Sequence, residues 1–225
     1  MSTITFKGVA SDTLGIMITK TPVPPCQQQG YETIYIPDGP VLYNDKKIRE
    51  NVSIIVEAAI TDMSKFRQIY SHFQGHGNLI LSGESDKYYK AICRPLTPEN
   101  IAASLKLIVL EFECESYAYA VSNDPVEITV NDYNLEVGGS YFCKPVYEVY
   151  GSGNISLIVN NTESLLTLYN VDEHVTVDTA LLMCHKDGVN VKSSGFLPFL
   201  NVGTNRIQFT GNVTKIEITK NERWL

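Results

Sequence analysis

The chain has 225 residues, a mass of 25.1 kDa and a formal net charge of −7, with a pI near 5.1. So acidic a composition argues against a broad phosphate-binding surface, because neutralising phosphates requires clustered lysines and arginines. No stretch approaches the roughly 20 apolar residues that cross a bilayer, and Met1 to Gly8 has the pattern of strand and turn, not of a signal peptide. We therefore expect no membrane insertion, and the length suits two domains of ordinary size.

The first half of the chain is patterned mainly as β-strand. Apolar alternation predicts strands over residues 4–9, 33–36, 51–59, 78–82, 88–94 and 105–115. The segment from Pro22 to Pro25 is too rich in proline for a central strand, because proline cannot donate to a sheet ladder. We interpret it as an extended arm or an edge loop.

One amphipathic helix interrupts these strands. Its apolar residues recur at three- and four-residue spacing, which predicts a helix from Asp62 to Phe73 that packs on a sheet. The carboxylate of Asp62 suits the N-cap, and Gly75 and Gly77 provide the stop. The stripe consists of Met63, Phe66, Ile69, Tyr70 and Phe73.

The strand over 105–115 carries a row of acids on one face. Glu111, Glu113 and Glu115 alternate with apolar residues, so they share the face that looks at water. An ordinary solvated face is the simpler interpretation, because antiparallel sheets commonly have one polar face.

The second half has no helical pattern. Short alternating runs recur between turns rich in glycine and asparagine, which predicts an antiparallel β-sandwich. The pattern breaks near residues 119–123, so we predict a first domain over 1–121 and a second over 122–225. The fold class is therefore mainly β, with one α-helix in an N-terminal β-sandwich domain.

Catalytic and metal-binding motifs give little support to an enzyme. His72 and His76 stand four residues apart, but Gly75 separates them and no third ligand is near in sequence. The five cysteines are odd in number and widely spaced, which favours buried reduced thiols over a disulfide frame or a zinc site. We predict a protein that is not an enzyme and uses no cofactor and no metal.

The single tryptophan, Trp224, leaves one binding function open. A terminal aromatic side chain could stack on a sugar, or it could close a sandwich or dock on another domain. The first interpretation makes the chain a carbohydrate-binding module or adhesin that recognises glycan on a host surface.

Taken in order along the chain, a set of short motifs resembles the distal tail proteins of long-tailed bacteriophages. In the first half they are Phe6-Lys7-Gly8 with Ser11 and Gly15-Ile16, Ile36-Pro37-Asp38-Gly39, the helix leading to Gly75 through Leu81, and Asp86 through Ala91. In the second half they are Pro145, Tyr150 through Ile155, Phe196 through Phe199 with Gly203-Thr204-Asn205, and Arg223-Trp224-Leu225.

This resemblance implies a structural protein of the virion tail tip, assembled in the cytoplasm of the host bacterium. The first domain would close into a hexameric ring, single or in back-to-back pairs, that joins the tail tube to the tip or baseplate. The second would be a galectin-like or carbohydrate-module-like sandwich at the periphery, where it docks tail-tip, baseplate or receptor-binding proteins. Fold alone does not make such a domain bind sugar.

The resemblance also gives the row of acids a role. DNA would pass through the centre of the ring without specific binding, and Glu111, Glu113 and Glu115 would repel its phosphates if they lined the channel. We state this as an expectation that rests on the alternation of one strand.

Overall fold

The computed structural model describes residues 2–23, 30–45, 49–95, 99–102, 105–160 and 165–225. The described residues form two compact units, one running to Val121 and including Leu225, the other spanning Ser122–Trp224. Both are built from antiparallel strands, so the mainly β fold class is confirmed. Within the described residues, no helix is long and apolar enough to span a membrane.

The first unit contains one main sheet, one α-helix and a separate ribbon. Its sheet runs in the order β2, β1, β7, β8, β10, β6, β3, with β9 also beside β10, while β4 and β5 pair with each other as the ribbon. The strands are β1 (Ile4–Phe6), β2 (Val9–Ala10), β3 (Ile16–Ile18), β4 (Tyr31–Tyr35), β5 (Val41–Asp45), β6 (Val52–Ile60), β7 (Gly75–Leu81), β8 (Lys87–Pro95), β9 (Glu99–Ala102) and β10 (Leu105–Ala120). The helix is α1 (Phe66–His72), and short 3-10 turns cover Met63–Lys65 and Ser82–Glu84.

The helix lies where the sequence predicts it, but its regular part is shorter. Asp62 is the predicted N-cap, since its carboxylate accepts from the Ser64 amide at 3.0 Å, yet the turn that follows is 3-10 and α1 begins only at Phe66. Gly75, at φ +82°, ends the helical path. Strand β7 therefore starts at Gly75, three residues before the predicted Asn78.

Three aromatic rings join this helix to the sheet. Phe73 stacks on Phe6 of β1 with ring centroids 5.8 Å apart, and Phe112 of β10 meets Phe6 edge-on at 5.3 Å. All three are fully buried, and Ile69 is buried beside them on the helix. His72 belongs to the same cluster, because its Nε2 lies 2.9 Å from the Phe6 carbonyl oxygen. Aromatic burial therefore fixes the helix on the sheet.

Strand boundaries differ from the predictions where the backbone turns. Lys7 and Gly8 both have positive φ, at +50° and +77°, so the predicted strand 4–9 becomes β1 and β2. Strands β3, β5 and β9 carry no period-two signal long enough to predict them. Pro24, Pro25, Cys26 and the basic residues Lys46 and Lys47 lie outside the described residues.

The second unit is a set of antiparallel strands around one core. Its strands run in the order β11, β18, β13, β14, β15, β16, with β12 also beside β18 and β17 beside β14. They are β11 (Val126–Ile128), β12 (Tyr133–Val137), β13 (Val146–Val159), β14 (Leu165–Asp178), β15 (Met183–Lys186), β16 (Val189–Asn190), β17 (Ser193–Gly195), β18 (Gly203–Thr219) and β19 (Arg223–Trp224).

Three long strands of this unit, β13, β14 and β18, bend near their midpoints. Against β18, the pairing register of β13 shifts between Tyr150 and Gly151 and again between Ser152 and Ser156. Against β14 it shifts between Gly153 and Ile155. Both halves of each strand contribute to a single hydrophobic core. The bends therefore let each strand form two arms that enclose the same core.

The cysteines are buried rather than bridged. Cys93, Cys114, Cys143 and Cys184 are free and buried, as predicted for these four. Burial raises the pKa of Cys93 and of Cys114 to about 12, so both thiols stay protonated at neutral pH.

Replacing Phe73 with alanine tests the aromatic cluster. We expect the Phe73→Ala change to lower the free energy of unfolding of the first unit by about 3–5 kcal/mol, since it removes a fully buried ring and leaves a cavity. Urea unfolding followed by circular dichroism measures this. The exposed Arg67 of the same helix is the control, and R67A should change stability by less than about 0.5 kcal/mol. A loss below about 1 kcal/mol for F73A would show that the ring does not fix the helix.

Candidate functional site

The outer face of the first sheet carries the richest set of charged side chains that the sequence singled out. Along β10, Phe112 and Cys114 point into the core and are fully buried. Glu111, Glu113 and Glu115 occupy the alternate positions and face outward, as the two-residue period predicts.

The three carboxylates are not left to repel one another. Glu113 accepts from Arg94 Nη2 at 3.0 Å, and Glu115 lies 3.8 Å from Lys90 Nζ. Ser53 Oγ donates to Glu111 at 3.3 Å. Both cations come from the neighbouring strand β8. The register sets Arg94 directly opposite Glu111, so its salt bridge to Glu113 runs diagonally between the two strands. Register cannot be read from sequence, so the alternation alone did not reveal these partners.

These ion pairs affect the net charge of the outer face more than they affect the stability of the fold. Exposed pairs of this kind contribute about 0–1 kcal/mol each, because water screens both charges. Glu57, which is exposed, adds a fourth carboxylate to the same face at its pairing position opposite Val109. Four acids against two cations leave this part of the face with a net negative charge.

A shallow depression of about 490 Å³ lies within this face. Its lining includes Asn51, His76 and Asn78 as well as Lys90, Glu113 and Glu115. The side chains are of both signs, and the described residues contain no group of three or more histidines, cysteines or acids placed to hold a metal ion. His76 lies here on β7 while His72 lies on α1 against Phe6, so the structure does not bring these two imidazoles together.

An aromatic pair continues the face beyond the acids. Tyr88 and Tyr119 stack with centroids 5.6 Å apart, and Lys90 Nζ lies 4.4 Å from the centroid of the Tyr119 ring. The Tyr119 hydroxyl donates to Glu115 at 3.0 Å. Burial, and then the charge of Glu115, raises the pKa of Tyr88. The charged side chains and the aromatic rings thus contact one another in one row along β8 and β10.

In the second unit, Trp224 is half-buried in the short strand β19. Its neighbour Arg223 is buried, and the guanidinium lies 4.5 Å from the centroid of Phe142 and 5.2 Å from that of Tyr141. Arg223 Nε donates to the Phe142 carbonyl at 2.6 Å. Sequence reasoning singled out Trp224 and missed this cation and its two rings, because Phe142 lies 81 residues before Arg223 in the chain. Sugar binding by Trp224 stays a prediction.

The whole fold is similar to that of a phage protein of known structure. The match to the SPP1 Dit protein covers 100% of both chains with a TM-score of 0.76 and 11% sequence identity. That protein is described as a paradigm of the hub adsorption apparatus in phages that infect Gram-positive bacteria. No protein-family model matches the sequence, and no curated protein matches it either. The resemblance to distal tail proteins is therefore confirmed at the level of the fold.

Proposed function

We propose that this protein is a structural hub of a bacteriophage tail, in which six copies form a ring that joins the tail tube to the tail tip or baseplate. The observation that carries this proposal is the similarity of fold to the SPP1 Dit protein over the full length of both chains. A match over only one unit would support a shared module, whereas this one includes both units in the same order. The role is structural and not enzymatic, and its site is the tail tip of a virion assembled in the host cytoplasm.

In this proposal the two units have different tasks. The first unit, with its continuous antiparallel sheet, forms the ring, because a sheet with open edges can pack beside its neighbours around an axis. The second unit, a galectin-like sandwich, lies at the periphery and docks other baseplate, tail-tip or receptor-binding proteins. The tail tube protein binds the ring itself.

The outer face of the first sheet lines the channel through which DNA passes. Its support is the charge pattern, in which Glu57 and the three acids of β10 outnumber Arg94 and Lys90 on this face. A channel wall that is negative overall repels phosphates, so DNA slides through without being held. The salt bridges to Arg94 and Lys90 keep the acidic side chains in place without making the wall attractive.

The mass of the purified protein in solution tests the ring. We expect light scattering after size-exclusion chromatography to give six copies of the 25.1 kDa chain, about 150 kDa, or twice that for paired rings. Closed cyclic symmetry predicts one sharp species that does not grow with concentration. A monomer at every concentration up to the millimolar range, or an open-ended series of larger species, would contradict the proposal.

Reversal of the charges on the acidic row tests the channel. We expect the E111K/E113K/E115K ring to bind single-stranded DNA, with affinity falling steeply as salt rises, whereas the wild-type ring binds none at low salt. Fluorescence anisotropy of a labelled oligonucleotide measures this, and light scattering verifies that the variant still assembles.

The matched control reverses three exposed acids of the second unit, in the variant D172K/E173K/D187K. If the acidic row lines the channel, the first variant binds the oligonucleotide inside the ring, whereas the control binds it outside the channel. Only the first variant should therefore retain the DNA once both ends of the oligonucleotide are blocked. Equal retention by both variants would place the acidic row outside the channel.

A further inference from the structure

The ribbon formed by β4 and β5 exposes more apolar surface than any other element of the first unit's described residues. Three tyrosines project from it, Tyr31, Tyr35 and Tyr43, and they are 61%, 77% and 70% exposed. The aliphatic side chains of the ribbon are nearly half-exposed as well, namely Ile34, Ile36, Val41 and Leu42. Single exposed apolar residues are ordinary on a protein surface, but seven on one short element indicate a surface that binds a partner.

Both faces of the ribbon are uncovered. On one face Tyr31 and Tyr43 meet edge-on with ring centroids 6.3 Å apart. On the other face Ile34 lies directly opposite Leu42 in the pairing register. Neighbouring residues of a strand point to opposite faces, so a single covering surface could not bury both sets. A two-stranded ribbon alone is only marginally stable in water, which gives this one a reason to pack against something.

The turn of the ribbon gives it a defined shape. The Gly39 amide donates to the Ile36 carbonyl at 3.0 Å, and Asp38 between them has φ +57°. Pro37 lies within the turn and Pro40 follows it, and both restrict the backbone further. A ribbon fixed in this way loses little conformational entropy when it docks.

The exposed area is large enough for a stable contact. Three tyrosine side chains present roughly 200 Å² each when fully exposed, so at the observed exposures they alone offer about 400 Å². That is half of the roughly 800 Å² that each partner contributes to an interface of standard size. The four aliphatic side chains add to it.

Within the part of the chain that the structure describes, β6 has an edge segment of the same length that pairs with no strand along one side. Strand β6 pairs with β10 along one side, but on its other side β3 reaches only Ala58 to Ile60. Among the described residues no strand pairs with Val52–Val56 on that side. This edge segment has five residues, the same length as β4 and as β5. The exposed Ile55, at 59%, lies in the middle of this edge.

We propose that the ribbon of each copy docks on the free β6 edge of the next copy, which places it at the interface between subunits. The inference rests on the proposed ring. In a closed ring every copy donates one ribbon and receives one, so no apolar ribbon and no open β6 edge is left exposed. Pairing along the edge also explains the two apolar faces, because an added strand continues both faces of a sheet.

The Y35S/Y43S variant tests this inference. Both side chains are exposed in the single chain, so the variant keeps its fold, and its thermal unfolding midpoint should match that of the wild type. We expect the association constant between subunits to fall about a hundred-fold, since two tyrosine anchors are lost at about ten-fold each. Sedimentation velocity over a dilution series measures it. The control is L181S/F196S, which removes two apolar side chains of similar exposure, 67% and 73%, from the second unit.

Hydrogen exchange locates the receiving surface. In the assembled wild type the amides of the Val52–Val56 edge should exchange slowly, and in Y35S/Y43S they should exchange at the rate of the monomer. Equal protection in both proteins would overturn the pairing of ribbon and edge.

The outcomes separate this inference from the ring itself. A wild-type ring with a dissociated ribbon variant and an intact control supports it. A ribbon variant that assembles as tightly as the wild type overturns the inference and leaves the ring standing, as does a control that dissociates to the same extent. A wild type that is monomeric throughout overturns the proposed function first.

Discussion

The alternation of side chains along β10 determines which of them enter the core of the first unit and which face outward. Phe112 closes the aromatic cluster that fixes the helix, and its neighbours Glu111 and Glu113 face outward because the pleat leaves them no alternative. A shift of one residue in the pairing with β8 would bury the acids and expose the ring. The charge pattern of the outer face is therefore as firmly fixed as the core beneath it.

The second unit meets a different constraint, since three long strands have to bend around one core. At the bends the backbones approach so closely that side chains do not fit. A Cβ on Gly151 would collide with the Asn212 carbonyl, and one on Gly211 with that of Asn154. The buried Tyr147, whose hydroxyl donates to the Pro198 carbonyl at 3.0 Å, ties the loop after β17 to the same core.

Sequence patterns predicted the parts of this fold that depend on local periodicity. The apolar stripe of the helix and the alternation of β10 each repeat over enough residues to be recognised. Asp62 was recognised as the cap because it stands just before that stripe. The helix came out shorter because its first turn is 3-10, a distinction that apolar spacing does not make. The short strands β3 and β5 gave no period to detect.

Features that depend on pairing could not be predicted. The cations that pair with Glu113 and Glu115 come from another strand, and only the folded sheet shows that they meet. The apolar ribbon was equally hidden, because Thr33 to Ile36 has the pattern of an ordinary half-buried strand whether or not a core covers it. Exposure is a property of the folded chain, so the surface that suggests a neighbour appeared only in three dimensions.

A cryo-electron microscopy reconstruction of the purified protein would test the central claim most directly, because it shows symmetry and orientation together. The account predicts a sixfold ring with an open central channel, Glu111, Glu113 and Glu115 on the channel wall, and the second units at the rim. A ring that carries these acids on its outer wall would contradict the channel assignment, and particles without rotational symmetry would contradict the hub itself.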